Sequence, residues 1–196
     1  MATHSGDQKL FTADAIYQSS PRLRAAILFF LHDLPGKLVR NTLGKHLYYA
    51  DGHFFQKTGQ QITEYPYLHV EGSPLPLHFN ELIHAMVLHG DIEVIPRMQE
   101  QILDGKKVMV LAGMSFQTLK PYASVFTREE EKVLKQTANL LGGDISIETR
   151  YFPNLYQVYT GTGLYETIPF MQFPEGKRPH LSWKAWAQKM FQLRWQ

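Results

Sequence analysis

The sequence predicts an α+β protein, mainly α-helical with a small antiparallel β-sheet or hairpin. Three observations carry that expectation. Residues 126–143, FTREEEKVLKQTANLLGG, have the caps, charge order and apolar spacing of a helix. Residues 37–55 repeat apolar side chains at a helical period. The runs DIEVI and KKVMVLA read as strands joined across Asp104-Gly105, a dipeptide suited to a tight hairpin turn. The 196 residues suit one domain with an appended element. We divide them into a loosely ordered segment (1–20), a globular domain (21–170) and a basic, tryptophan-rich C-terminal helix (171–196).

The elements follow in chain order. Ser20 before Pro21 gives an N-cap with proline at the first helical position, so a helix is expected over 21–33, broken by Pro35 and Gly36. On the next helix Val39, Leu43, Leu47, Ala50 and Phe54 fall within about 80° of arc, a core stripe, and Gly59 ends it. Residues 62–76 read as extended chain with a Gly/Ser/Pro turn, and 77–90 as a helix stopped by Gly90. A short helix from Pro96 to Leu103 is the second choice for the connection between the strands. Thr127 and Glu130 have capping-box spacing, Glu129, Glu130 and Glu131 sit where the helix dipole favours negative charge, and Gly142-Gly143 stops the helix. DISIETRYF begins a further short helix. Residues 153–170, rich in tyrosine and glycine, read as an ordered loop with short extended pieces.

Composition narrows the function classes. The chain has no cysteine, which removes disulfides and thiolate metal sites and fits a reducing compartment. The longest strictly apolar run, residues 25–31, is far short of the roughly 20 residues that span a bilayer. No signal-peptide pattern opens the chain, so the expected location is cytoplasmic, with no membrane role. The net charge of +2 is too small for broad attraction to nucleic acid, but residues 171–196 carry five bases against Glu175 alone.

Three constellations invite chemistry. His46, Asp51 and His53 share one helix, yet Asp51 lies about 140° around from His46, so no His–Asp dyad forms within that helix. Asp51 reads instead as a carboxylate at the margin of the core stripe, accepting hydrogen bonds from a tyrosine hydroxyl or backbone N–H groups. His78, His84 and His89 do not converge as an i, i+4 metal pair would, and no metal or cofactor is expected. GMSFQ is not a nucleophile elbow, and the glycines at 161 and 163 come with no phosphate-loop lysine. No motif points to an enzyme. On the C-terminal helix Trp183, Trp186, Met190 and Leu193 make one apolar face, with Phe191 and Trp195 as a second patch. The first reading is that the helix docks on its own domain and completes the core; the second is that it is offered to a partner, since tryptophan and methionine are enriched where proteins bind partners.

Three pieces of the chain together resemble the Panacea, or SocA-like antitoxin, domain. The first is Leu47, Tyr48, Tyr49, Ala50, Asp51, His53, Phe54 and Gly59; the second is Ile62, Thr63, Tyr67, Gly72, Pro74 and Pro76; the third is the acidic helix with its glycine stop. Ser73 separates Gly72 from Pro74, where the family usually joins them, and the Ser-His pair and tryptophan that often follow the acidic helix have no counterpart in TRYFPNLYQVY. The resemblance implies a mostly helical domain with a small antiparallel sheet. It also implies an antitoxin that neutralises a co-encoded toxin by direct binding, with a protease adaptor role known for at least one member. The expected partner is a cognate toxin, with a homodimer or protease machinery as further partners. The competing readings are a nucleic-acid-binding regulator using the basic aromatic tail and a hydrolase centred on Asp51.

Overall fold

The computed structural model describes residues 12–36, 38–103, 106–142 and 151–170. Six helices and two antiparallel two-stranded sheets make an α+β, mainly helical fold among them. No helix among the described residues is long and apolar enough to cross a membrane.

The helix α1 (Ala13–Ser19) corrects the loosely ordered reading for the second half of residues 1–20; residues 1–11 lie outside the described residues. Thr12 caps it, accepting from the Ala15 N–H at 3.3 Å, and Ile16 and Tyr17 bury against the domain. Seven residues carry too little periodicity to announce a helix, and tertiary packing holds it. Helix α2 (Pro21–Asp33) begins at Pro21, but Ser20 makes no side-chain cap. Its hydroxyl instead donates to the Ile16 carbonyl at 2.7 Å, serving the end of α1.

Helix α3 (Arg40–Thr58) is the axis of the fold. A single apolar stripe understates it: every residue from Thr42 to Gly52 is buried, and so is Phe54. A helix buried on all sides must let neighbours approach closely, and two glycines provide the room. A Cβ on Gly44 would stand 2.3 Å from Leu75 and 2.6 Å from the Pro74 carbonyl; one on Gly52 would stand 2.3 Å from Leu155. Gly59 ends the helix in the left-handed region, φ 74°, with its N–H on the Phe55 carbonyl at 2.8 Å.

Strands β1 (Tyr67–Val70) and β2 (Ser73–Pro76) form a hairpin pairing Tyr67 with Pro76 and Val70 with Ser73. Its turn places Gly72 at φ 79°. The far edge of β1 is covered by residues 165–168, with Tyr165 and Ile168 N–H groups on the His69 and Tyr67 carbonyls. Helix α4 (Phe79–Leu88) follows. Strands β3 (Ile92–Leu103) and β4 (Lys106–Thr118) then run as one long ribbon, and the short helix considered for 96–103 does not form. Asp104 and Gly105, the expected turn, lie outside the described residues.

Helix α5 (Arg128–Leu141) carries the complete capping box: Glu130 N–H donates to Thr127, and Thr127 N–H to the Glu130 carboxylate. Residues 143–150, where the further short helix was expected, are outside the described residues, as is the whole of 171–196. Helix α6 (Pro153–Gly161) corrects the reading of that segment as loop. Pro153 stands at its first turn, and Leu155 and Tyr159, four apart, bury one face. The tyrosines there pack as helical core, with Tyr48 donating its hydroxyl to the Leu155 carbonyl at 2.9 Å.

Candidate functional site

The polar residues singled out near position 50 meet at a buried seam between α3 and the chain entering β1. Asp51 is 0% exposed. One oxygen accepts the Thr63 backbone N–H at 2.9 Å; the other accepts the Tyr67 hydroxyl at 2.8 Å and the Thr63 hydroxyl. The loop 59–66 brings Thr63 and Tyr67 back over α3, which is why the partners come from outside the helix. Burial pushes the Asp51 carboxyl up to about 6, while the bonds from Thr63, Tyr67 and the Ile62 backbone hold it down in part. Burial likewise pushes the Tyr67 phenol well above its ordinary range, with the neighbouring Asp51 charge adding to the effect.

The other motif residues surround this seam with aromatic packing. Leu47, Tyr48 and Tyr49 are fully buried. Tyr48 meets Tyr67 edge-on at 5.6 Å, and Tyr49 stacks on Phe152 at 4.9 Å. Such ring pairs add about 0.5–1.5 kcal/mol beyond their buried area. His53 meets Phe152 edge-on at 6.0 Å, and burial, with the nearby Lys57 charge, pulls it down to about 4, so it is neutral above that. His46 donates Nδ1–H to the Thr42 carbonyl at 2.8 Å, and burial lowers it too. Neither imidazole hydrogen-bonds Asp51. Pro74 is buried in β2, its carbonyl against Gly44, while Gly59 and Gly72 hold turns.

The seam continues outward through Arg22. Its Nε donates to the Ile62 carbonyl at 2.7 Å, one residue from Thr63, and its guanidinium reaches the Glu130 carboxylate. Glu130 is the capping-box residue of α5, so one chain of polar contacts joins α3, the 59–66 loop, α2 and α5. Sequence reading gave Glu130 a capping role but not this second partner, which stands 108 positions away.

A second buried carboxylate, Asp91, escaped sequence reading altogether. It accepts the Tyr17 hydroxyl at 2.7 Å and an ion pair from Lys120. The Tyr17 ring carries the Arg24 guanidinium at 3.7 Å and stacks with His89 at 4.0 Å. Only its place at the mouth of β3, directly after Gly90, hinted at a role. Among the described residues no three His, Asp or Glu side chains gather as metal ligands. Trp183, Trp186, Met190, Phe191 and Trp195 lie outside the described residues.

Comparisons with protein-family models, curated proteins and solved structures give no match to this chain.

Proposed function

We propose that this chain is an antitoxin-like protein of the Panacea kind, which binds a co-encoded toxin by direct contact. The observation that carries the reading is the way its three motif pieces lock together. Asp51 from the first takes both Thr63 and Tyr67 from the second, and Arg22 ties that loop to Glu130 of the third. The polar residues of the resemblance thus serve as internal struts. Asp51, the carboxylate a hydrolase would need, is fully buried with both oxygens occupied. In this reading the chain has no catalytic step, and its work is done on its surface. Proteolytic adaptor function would be a later use of the same complex.

The test is co-expression with the product of the neighbouring gene. That product should arrest growth alone, be silenced by this chain, and co-purify with it. A neighbour that is harmless, or rescue without a complex, would overturn the proposal. Replacing Trp183 and Trp186 together by alanine in the full chain then asks whether the tryptophan-rich tail makes the contact.

A further inference from the structure

The β3–β4 ribbon is buried only at its base, where Ile92, Ser115 and Phe116 enter the core. Twelve residues of strand extend to about 40 Å, and a lone two-stranded hairpin is marginal in water. Its side chains are not the polar set that a solvated ribbon would carry. Val94, Met98, Ile102, Met109, Leu111 and Met114 are each between 42% and 72% exposed.

Register places all six on one face. Val94 pairs with Phe116, and Met98 with Leu111, so these share a side with every second residue of β3. Strict alternation along β4 would put Met114 and Leu111 on opposite sides. A bulge between Arg97 and Met98 prevents that, because Ala112 faces no partner and Gly113 takes φ 148°. The extra residue shifts the phase of β4 by one. Met109, Leu111 and Met114 therefore all join Met98. The face's charged residues, Glu100 and Lys107, pair with each other at 2.9 Å and leave it neutral. The opposite face is mixed, with Glu93, Arg97, Gln99, Gln101 and Gln117 among its residues.

We infer that this face is a homodimer interface, with a second copy of the chain laying its own ribbon against it about a two-fold axis. Three features favour a copy over another occupant. The six side chains leave on the order of 600 Å² open per chain, so two copies would bury roughly 1,200 Å², the lower bound of stable interfaces. A neutral, apolar strip is self-complementary, as a two-fold contact requires. Edge-to-edge strand addition is disfavoured: Pro96 interrupts the outer edge of β3, and residues 38–39 cover the base of β4. Face-to-face stacking is the remaining route, and methionine-rich surfaces adapt well to it. This inference does not rest on the antitoxin reading and needs no toxin for its test.

The test is sedimentation velocity of the full chain from ~1 to ~100 μM, the range in which such an interface should assemble. The expected result is a monomer–dimer equilibrium. Leu111→Lys should weaken it at least ~100-fold, since it places two like charges at the contact. Gln99→Lys on the opposite face should leave it unchanged. Both should keep the melting temperature of the dilute monomer. The chain has no cysteine, so Leu111→Cys supplies a unique thiol: mild oxidation should give a covalent dimer, and Gln99→Cys should not. A chain that stays monomeric throughout, or a dimer indifferent to Leu111→Lys, would overturn the inference. So would a monomer in which Leu111→Cys resists a maleimide until Trp183 and Trp186 are both alanine; the chain's own C-terminal segment would then own the face.

Discussion

The α3 seam and the β3–β4 ribbon invert the usual division of side chains. The seam buries a carboxylate, a threonine and three tyrosines; the ribbon exposes three methionines, two leucines, an isoleucine and a valine. The difference lies in partners. Each polar atom of Asp51 has a donor inside the protein, so burial is tolerable. The apolar atoms of the ribbon have no cover among the described residues, so their stabilisation awaits another surface. Side-chain type alone does not tell inside from outside, whereas the supply of partners does.

Asp51→Ala should break the contrast most sharply. It leaves the Thr63 N–H and hydroxyl and the Tyr67 hydroxyl without an acceptor, at a cost of about 3–5 kcal/mol. A fall of roughly 10 °C or more in melting temperature is expected. A change below 2 °C would mean that the seam is not a strut.

The pH dependence sharpens the comparison within the seam itself. Asp51 is raised to about 6 in the fold, against 3.8 when free. Between those values the folded chain holds the extra proton, so this group lowers stability as pH rises. His53 is lowered from 6.5 to about 4, so there the unfolded chain holds the extra proton and stability rises with pH over nearly the same window. The two slopes oppose. Asp51→Asn removes one of them, and the stability gained between pH 4 and 6.5 should exceed that of the unaltered chain by up to about 3 kcal/mol. Urea titrations across that range read the difference; parallel curves would refute it.

Two glycines of α3 separate hard neighbours from soft ones. Gly44→Ala drives a methyl against the Pro74 backbone carbonyl, which cannot rotate away. Gly52→Ala meets only Leu155 side-chain carbons, which can change rotamer. The first should cost about 2–3 kcal/mol and the second about 1 kcal/mol or less, because alanine also restores helix propensity. Equal losses in chemical denaturation would contradict this reading of the contacts.

On the ribbon, Met98→Ala should change the stability of the dilute protein by less than about 0.5 kcal/mol, as exposed sites do. A larger loss in the monomer would show the face already covered by the chain itself.

How much of this could be read from the chain depended on the range of the interactions. Helices α2, α3 and α5 announce themselves through local signals: Pro21 at a first turn, the period of α3, the Thr127–Glu130 box. The ribbon was legible for the same reason, since the strand character of DIEVI and KKVMVLA is local. Helices α1 and α6 were not, because each is short and owes its form to a few buried contacts such as Ile16 and Tyr159. Helical geometry showed that Asp51 needs partners from elsewhere, but only the fold names Thr63. Asp91 carried no local pattern at all; its tyrosine stands 74 positions away. The phase of the ribbon was equally hidden, since nothing in KKVMVLAGMSF states which residue will go unpaired.

That unpaired residue makes the ribbon unusually sensitive to chain length. Inserting one residue between Arg97 and Met98, opposite Ala112, would leave the interior untouched, because Ile92, Ser115 and Phe116 keep their places at the base. The bulge would close and the outer half of both strands would roll over, sending Met98, Met109 and Leu111 to the reverse side and bringing Gln99, Val108 and Val110 forward. A single-codon insertion in the gene would thus rewrite what the arm displays while sparing the body that carries it, and lineages of this protein could change companions by that route without relearning how to fold.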